Sequence, residues 1–439
     1  MARAGGRSPR THTAALSNGL TVILAPEPRS PTASVWVWYR VGSRNEHPGI
    51  TGASHWVEHM LFQGSPRYGK GAIDRAVVEV GGTLNAFTDT DFTAYFTTVP
   101  REHLAVPLDI EADRMTRALI ADDEVERERV VIHSEREGNE NWPEFRVDEE
   151  LYQLAFRHHP YRWDPLGRRE DIERLTPEEL RTYYQRFYGP RNAVLVVAGG
   201  FPLADTFSQI DTLFAALPPT GEDPVVTVRE PEPKGERRST LSGPGTTPIL
   251  AVGWRAPGLD DLATPAVMML DAVLGGECGL FRAGSLWGRS AEHPSARLYR
   301  GLVDPGLAVR AASGWRPRHD PSLFTVNVLA AEGVTLDRIE QALDALIDRL
   351  ARAGPTRREL EDARAKVARG AALAYEGASR TGLRLGYFAA VQSLAFERTL
   401  CRRLLGVSSD EIRAAAQALL RPDRRVVVRY EPTGDEPDG

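Results

Sequence analysis

The sequence predicts a chain of mixed α-helix and β-sheet structure divided into two domains. Its 439 residues exceed the usual size of one domain, and 42% of them are hydrophobic, which is enough for two buried cores. Helical and strand-like patterns alternate in both halves of the chain. Residues 229–238 are charged and proline-rich, as in a linker. The strand and helix pattern near the start of the first half returns about 210 residues later, which indicates a weak internal duplication.

These features divide the chain into five predicted segments. Residues 1–12 are expected to be flexible, 13–229 to form the first domain, 230–238 the linker, 239–432 the second domain and 433–439 a flexible tail. Apolar stretches predict strands, in chain order, at residues 20–24, 33–39, 193–199, 249–254 and 425–430. Residues 264–270 predict a helix. Three further helix starts are marked by capping boxes: Thr176 with Glu179, Thr356 with Glu359, and Ser408 with Glu411.

The pentad at residues 55–59, His-Trp-Val-Glu-His, is the main functional signal. Residues 51–54 form a turn-like stretch able to cap a helix, apolar residues then recur at helical spacing, and Gly-Ser-Pro at 64–66 ends the predicted helix. Because positions i and i+4 share a helix face, His55 and His59 can bind one metal ion, with Glu58 beside them. A catalytic zinc usually takes three protein ligands, so a carboxylate elsewhere must complete the set. On these residues alone, the alternative is one histidine in the core and the other in solvent.

Two other stretches place polar residues at informative spacings. Residues 124–135 predict an acidic helix, on which Glu128 and Glu135 share a face because seven positions separate them. Residues 81–88 and 91–96 predict two short strands around a polar turn, rich in Thr, Phe and Tyr. By themselves, the first stretch is typical of a solvated helix face and the second of an ordinary hairpin.

Taken together, these stretches resemble the pitrilysin, insulysin and mitochondrial processing peptidase family. H-x-x-E-H reverses H-E-x-x-H and is the inverzincin signature. Glu135 follows His59 by 76 residues, similar to the family's spacing between its second histidine and its last zinc ligand. The resemblance implies one zinc ion per chain, held by His55, His59 and Glu135, with Glu58 as the general base of a zinc endopeptidase. It also implies that Glu128 orients a ligating histidine.

The hairpin and a rival ligand complete the predicted site. In the family, the segment that corresponds to Asn85, Ala86 and Phe87 is an exposed edge strand that pairs with the backbone of the substrate. The resemblance therefore implies a peptide or unfolded polypeptide as substrate. His133 is a rival metal ligand, but on a helix it projects about 200° away from Glu135.

The resemblance covers roughly residues 13–431 and implies the fold. It predicts an α+β chain of two homologous α/β domains, each a mostly antiparallel sheet with helices packed on one face. In the second domain, Pro265, Met268 and Met269 stand roughly where the first has His55, Glu58 and His59. No metal site is expected there.

One departure from the family concerns a downstream Arg and Tyr that reach the substrate from the facing half. Here Val303 and Val309 stand at those positions, in a segment that aligns with one deletion after a longer loop at 277–294. This pattern resembles the zinc-bearing subunit of the two-chain bacterial members and implies a homologous partner that supplies the Arg and Tyr. The alternatives are a homodimer active without that pair, a non-catalytic scaffold subunit of the same fold, and a structural zinc site.

Charge and cysteine usage exclude other classes. The net charge of −6 and the lack of a Lys/Arg-rich block with interleaved aromatic residues argue against nucleic-acid binding. Cys278 and Cys401 allow at most one bridge and form no metal-type C-x-x-C, as expected in a reducing compartment. The basic N-terminus has no apolar core of a signal peptide, and no apolar run is long enough for a membrane span. We therefore expect a cytoplasmic protein.

Overall fold

Two β-sheets organise the molecule, one from each half of the chain. The computed structural model describes residues 10–275 and 293–434. Within them, the first sheet contains β1 (His12–Ala15), β2 (Thr21–Pro26), β3 (Thr32–Tyr39), β4 (Thr83–Thr88), β5 (Thr93–Pro100) and β6 (Ala193–Gly199). The second sheet contains β7 (Arg237–Gly243), β8 (Ile249–Ala256), β9 (Ala308–Trp315), β10 (Ser322–Ala330) and β11 (Arg425–Pro432).

The two sheets share one topology. Their strand orders are β1-β2-β6-β3-β5-β4 and β7-β11-β8-β10-β9, so removal of β1 leaves the same order in both. Only β2 with β6 and β7 with β11 run parallel in the described sheets, and all other neighbours are antiparallel. The predicted fold of two mostly antiparallel α/β units is confirmed, and the weak repeat in the sequence corresponds to a repeated topology.

Helices connect the strands in each half. The described part of the first half contains α1 (Ala53–Met60), α2 (Ala72–Glu79), α3 (Ala105–Arg117), α4 (Asp122–Glu140), α5 (Pro143–Ala155), α6 (Arg169–Arg174), α7 (Pro177–Phe187) and α8 (Leu203–Phe214). The described part of the second half contains α9 (Thr264–Leu274), α10 (Leu336–Ala353), α11 (Arg357–Leu373), α12 (Ala378–Val391), α13 (Leu394–Gly406) and α14 (Ser409–Leu419). The three predicted capping boxes form at the starts of α7, α11 and α14.

The first sheet is buried on both faces because alternate residues of β3 point to opposite sides. Val35 and Val37 pack in a core with the helices of the first half, including α1, α3, α4, α7 and α8. Trp36 and Trp38 point the other way and meet α12 of the second half, where Gly382 and Gly386 lie against the two indole rings. A Cβ atom at either glycine would overlap an indole, so these positions require glycine.

The second sheet is covered in the same way, with the roles of the two halves exchanged. Leu250 and Val252 of β8 pack with α9, α10 and α14, whereas Ile249 and Ala251 face α5 of the first half. Each sheet therefore carries most of its helices on one face, as predicted, and one helix from the other half on the other face. The two halves are interlocked by this exchange.

The predicted segment boundaries fall outside most regular structure. No helix or strand lies between Phe214 and Arg237, the stretch that contains the predicted boundary near residue 230, although the last two residues of the predicted linker belong to β7. Strand β1 begins at His12, and Gly434 still pairs with Gly245. The rest of the two ends lies outside the described residues. None of the described helices has the length and apolar character that a membrane crossing requires.

Candidate metal centre

Helix α1 presents the pentad at the edge of the first core. It begins after Gly52, whose φ of 91° is the left-handed conformation that glycine tolerates best. The carboxylate of Glu46 accepts hydrogen bonds from the backbone N–H groups of Gly52 and Ser54 at 2.7 and 2.8 Å. Asp171 accepts three more from Gly49 and Thr51. Glu46 thus caps the start of α1 and Asp171 holds the turn before it, and both carboxylates lie near the positive end of the helix dipole.

The same capping role was expected of the residues just before the pentad. Thr51 and Ser54 were predicted to form a capping-competent turn, yet no side chain within that turn caps the helix. Burial raises the pKa of Glu46 to about 7, although its two backbone hydrogen bonds lower it. The sequence signal for this cap is absent because Glu46 and Asp171 act from six to 122 positions away.

Helix α4 lies beside α1 and supplies two carboxylates. Its stripe of Val125, Glu128 and Ile132 is buried, and the guanidinium of Arg129 lies 4.7 Å from the centre of the Trp56 ring of α1. This packing turns the face with Glu128 and Glu135 toward the pentad.

Three predicted ligands converge at the junction of α1 and α4. One ligand atom from each of His55, His59 and Glu135 lies within 4.8 Å of the others. Glu135 Oε2 is 3.5 Å from His55 Nε2 and 3.6 Å from His59 Nε2. The two rings are mostly buried, whereas 42% of the Glu135 side chain is exposed, so the group opens to solvent on one side. No other group of three such side chains lies as close together within residues 10–275 and 293–434.

This donor set fits a catalytic zinc ion. Two imidazole nitrogens and one carboxylate are a ligand combination of catalytic zinc sites, which keep a further position for water. His133, the rival ligand, is on α4 but does not belong to the group.

Glu128 holds one of the two histidines. Its Oε2 lies 3.0 Å from Nδ1 of His59, and its Oε1 accepts a 2.6 Å hydrogen bond from Nε2 of Gln63. A bond at Nδ1 leaves Nε2 of His59 directed toward Glu135, which is the arrangement that an outer carboxylate gives to metal-binding histidines. Gln63 was not among the predicted site residues.

The electrostatics differ between the two rings. Burial and the neighbouring His59 lower the pKa of His55 to about 4. Burial also opposes protonation of His59, but the carboxylates of Glu128 and Glu135 outweigh it and raise the pKa of His59 to about 9.

Glu58 is held from the hairpin. Its Oε2 accepts a 2.5 Å hydrogen bond from the hydroxyl of Thr88, the last residue of β4. Burial raises the pKa of Glu58 to about 7, although the hydrogen bond from Thr88 and the neighbouring His59 lower it. Thr88 was missed in the sequence because a hydroxyl at a strand end has no distinctive spacing.

Strand β4 forms the open edge of the first sheet, next to α1. Ala86 faces the same core as α1, whereas the ring of Phe87 points to the opposite face and packs against Trp36 and Trp38. The exposed Asn85 accepts a 2.8 Å hydrogen bond from the backbone N–H of Ala86. The structure therefore places Ala86 on the α1 side of β4, whereas the side chains of Asn85 and Phe87, two residues apart on the strand, point to the other face.

Comparison with known proteins identifies the family. The model for Insulinase (Peptidase family M16) matches residues 21–165, and the model for the Peptidase M16 inactive domain matches residues 174–367. The chain belongs to peptidase family M16. The two family models together cover the half that carries His55, His59 and Glu135 and most of the second half.

Named relatives of this M16 chain are proteases. Zinc protease PqqE of Helicobacter pylori is 28% identical over 359 residues, which are 80% of this chain and 77% of that protein. The mitochondrial-processing peptidase subunit beta of Neurospora crassa is 34% identical over 215 residues, 49% of this chain and 45% of that protein. A crystal structure of a protease from Helicobacter pylori matches with a TM-score of 0.90 at 25% identity, covering 97% of this chain and all of that one.

Helix α9 of this M16 chain carries apolar residues where α1 carries His55, Glu58 and His59. Pro265, Met268 and Met269 are buried in α9, as expected from their apolar character. Val303 is half-buried in a single turn of π-helix, Tyr299–Val303, and Val309 is 56% exposed near the start of β9. Cys401 is half-buried and forms no disulfide with any residue that the structure describes. Cys278 and most of the predicted long loop lie outside the described residues.

Proposed function

We propose that this chain is a zinc-dependent endopeptidase that cleaves peptides or unfolded polypeptides. The observation that carries the proposal is the convergence of His55, His59 and Glu135 within 4.8 Å, on the solvent side of a helix that also bears Glu58. One zinc ion per chain would be held by these three side chains. Zinc in such a site lowers the pKa of a water molecule to roughly 7 and polarises a carbonyl group.

The remaining chemistry belongs to the chain's own residues. As the proposed general base, Glu58 would take a proton through Oε1 from a water at the open side of the metal-ligand group and pass it to the leaving amine. Thr88 holds Oε2, which leaves Oε1 as the atom free to accept. The edge of β4 at Asn85 and Ala86 would pair with an extended substrate backbone, and the contact from Asn85 to the Ala86 N–H would give way to it.

The variant Glu58→Gln tests the proposal. It removes the base but keeps the size of the side chain and the hydroxyl contact. We expect zinc content to stay at one per chain while turnover of a quenched-fluorescence peptide falls roughly 10²- to 10⁴-fold, the usual contribution of general acid–base catalysis. The exposed Glu137 of α4 provides a matched control, since Glu137→Gln changes the same group outside the site. A Glu58→Gln protein with an unchanged rate would reject the assignment.

We further propose that full activity needs a homologous partner chain. Val303 and Val309 leave no Arg and Tyr at the positions where catalytically complete family members have them, so a second M16 chain that carries the pair would supply them. The purified chain should be assayed alone and with a co-encoded homologue, and the mass of each species measured by light scattering. Full activity of the chain alone, as a monomer or homodimer, would reject partner dependence and leave the endopeptidase proposal intact.

A non-catalytic scaffold of the same fold is the second candidate. It is favoured by the match of residues 174–367 to the inactive domain and by the two valines. Metal analysis with chelation and zinc reconstitution separates the candidates. A peptidase loses and regains turnover with zinc, a scaffold shows no turnover in either state or with the homologue, and a structural zinc site loses folding cooperativity on chelation.

A further inference from the structure

The turn between β4 and β5 links the candidate base to the second half of the molecule. It comprises residues 88–91, all of them buried, with between 2% and 6% of each residue exposed. Its first residue, Thr88, donates the hydrogen bond to Glu58. Its second residue, Asp89, is a carboxylate in the interior that must be paired to remain there.

Asp89 is paired by the second half. Arg316, which follows β9, donates a hydrogen bond to Asp89 Oδ2, and Nη2 of Arg318 lies 3.9 Å from Oδ1. The backbone N–H and hydroxyl of Thr90 donate to Oδ1 at 2.6 and 2.9 Å. Burial alone would raise the pKa of Asp89, but the two guanidinium groups and Thr90 hold it below the ordinary value. The residue next to Thr88 is thus an ionised carboxylate held by a guanidinium from the other sheet.

The backbone of the turn is also held from the first half. The N–H groups of Ser43 and Arg44 donate to the carbonyl oxygens of Asp89 and Thr90 at 3.3 and 2.9 Å. Gly42 lies so close to the turn that a Cβ atom there would overlap the carbonyl of Asp89. These contacts make the turn a stiff unit, so the orientation of Asp89 and that of Thr88 change together.

Asp91 closes the far end of the turn. It accepts a 2.6 Å hydrogen bond from the hydroxyl of Tyr161 and a 2.8 Å bond from the backbone N–H of His319. Arg44 lies 3.5 Å from the same carboxylate. Both acids of the turn therefore meet the β9–β10 connection, but only Asp89 adjoins Thr88.

We propose that the Asp89–Arg316 pair positions Thr88, and through it Glu58, so that the second half contributes to catalysis within the same chain. The inference rests on the proposed peptidase function. Arg316 and Asp89 are positioning residues, since neither touches the reacting atoms. Loss of Arg316 leaves a buried carboxylate without its main partner, which forces the turn to shift. A displacement of about 1 Å at a catalytic group can cost on the order of 10²-fold in rate.

The variant Arg316→Met is the first test. We expect kcat to fall by roughly 10-fold or more, with KM and zinc content unchanged, because neither the metal group nor the substrate edge is altered. Arg316→Lys keeps the charge but loses the planar fork and should recover part of kcat. Arg297→Met is the matched control, because Arg297 also lies in the second half and pairs with a mostly buried carboxylate, Glu359, away from the turn. Its kcat should equal that of the wild type.

A double-mutant cycle with Thr88→Val decides whether Arg316 acts through Thr88. If it does, Arg316→Met lowers kcat strongly in the wild type and only slightly in the Thr88→Val background. If the Met variant does not fold, the Lys variant completes the same cycle. Multiplicative losses, or an unchanged kcat in Arg316→Met, overturn the inference while zinc-dependent turnover of the wild type still supports the peptidase. A wild-type chain with no zinc-dependent turnover, alone or with a homologue, overturns both.

Discussion

The helices α1 and α9 occupy corresponding places in two halves of the same topology, yet they bury different side chains. Among the buried residues of α1 are His55 and Glu58, two ionisable groups, whereas α9 buries Met268 and Met269. Burial of ionisable groups costs free energy unless they are paired, and thioether side chains carry no such cost. Helix α9 therefore keeps the shared topology with apolar side chains at these positions, although it also buries one ionisable group, Asp271. We infer that α1 keeps these groups for chemistry, at the expense of stability.

The variant Glu135→Gln should have the largest effect on the difference between the two halves. It removes one of the three candidate zinc ligands that distinguish the first half. Glu135 supplies the only carboxylate of the metal group. We expect zinc affinity to fall by more than the roughly 10- to 100-fold that loss of an outer partner causes, because a ligand itself is removed. Competition titration with a zinc-sensitive dye measures the change, and turnover should fall in proportion to bound zinc.

Glu137→Gln on the same helix is the control for this effect. Glu137 pairs with Arg169 on the protein surface and lies outside the metal group. Its zinc affinity should match that of the wild type. Equal zinc affinity in Glu135→Gln and Glu137→Gln would contradict the placement of the third ligand.

The exchanged helix α12 supplies the next test, because it joins two halves that otherwise repeat each other. Gly386 packs against Trp38, and an added methyl group would overlap the indole. Overpacking of this kind costs roughly 1–3 kcal/mol, and we expect Gly386→Ala near the upper end because the neighbour is a fully buried ring. Urea denaturation monitored by tryptophan fluorescence measures the loss.

Gly406, at the end of α13, separates packing from backbone effects. No atom lies within 4 Å of a Cβ placed there, so Gly406→Ala gains up to about 1 kcal/mol from helix propensity without a clash. If both alanine variants stabilised the chain, α12 would not be seated on β3 as described.

The variant Glu128→Gln compares the loss of a carboxylate that holds a histidine with the loss of the candidate ligand Glu135. The amide keeps the shape of the side chain but cannot act as a charged acceptor for His59 Nδ1. We expect zinc to bind about 10- to 100-fold more weakly, less than the loss in Glu135→Gln. The same dye titration ranks the two variants, and an equal or larger loss for Glu128→Gln would reverse their assigned roles.

Much of the site was accessible from the sequence because its residues lie on two helices with regular spacing. His55 and His59 share a face of α1, and Glu128 and Glu135 share a face of α4, so helical periodicity predicts each pairing, whereas the family resemblance joined the two pairs into one site. The capping boxes of α7, α11 and α14 were also predicted from local residues. The fold class followed from the resemblance and from the repeat.

Contacts between distant segments could not be predicted in this way. Thr88 meets Glu58 across 30 residues and Arg316 meets Asp89 across 227, and no local pattern marks either pair. The exchange of α5 and α12 likewise depends on which sheet face stays uncovered, which neither helix reveals by its own periodicity. In physical terms, periodicity reports that a face is buried but not what buries it.

The smallest predicted effect concerns Glu340, an acid of the second half. Its surroundings stabilise the ionised carboxylate, whereas burial in α1 destabilises the ionised form of Glu58. Burial alone would raise the pKa of Glu340, but Arg238, Arg425 and Arg429 surround its carboxylate and hold the pKa at about 2. A pKa below the ordinary value means that the ionised form favours the folded chain. Its stabilisation is therefore complete above the ordinary pKa of 4.5 and is lost as the pH falls from there toward 2.

Glu340→Gln should accordingly lower the free energy of unfolding by about 1–2 kcal/mol at pH 7, between the values for exposed ion pairs and for buried charged hydrogen bonds. The difference from the wild type should shrink below pH 4.5, since the wild-type carboxylate then takes up protons on unfolding. Urea midpoints of the zinc-free chain between pH 7 and 3 measure it. Asp410→Asn, which breaks an exposed pair with Arg413, should change stability by less than about 0.5 kcal/mol at any pH. A Glu340→Gln difference that stayed constant with pH would show that the three arginines stabilise this sheet by packing rather than by charge.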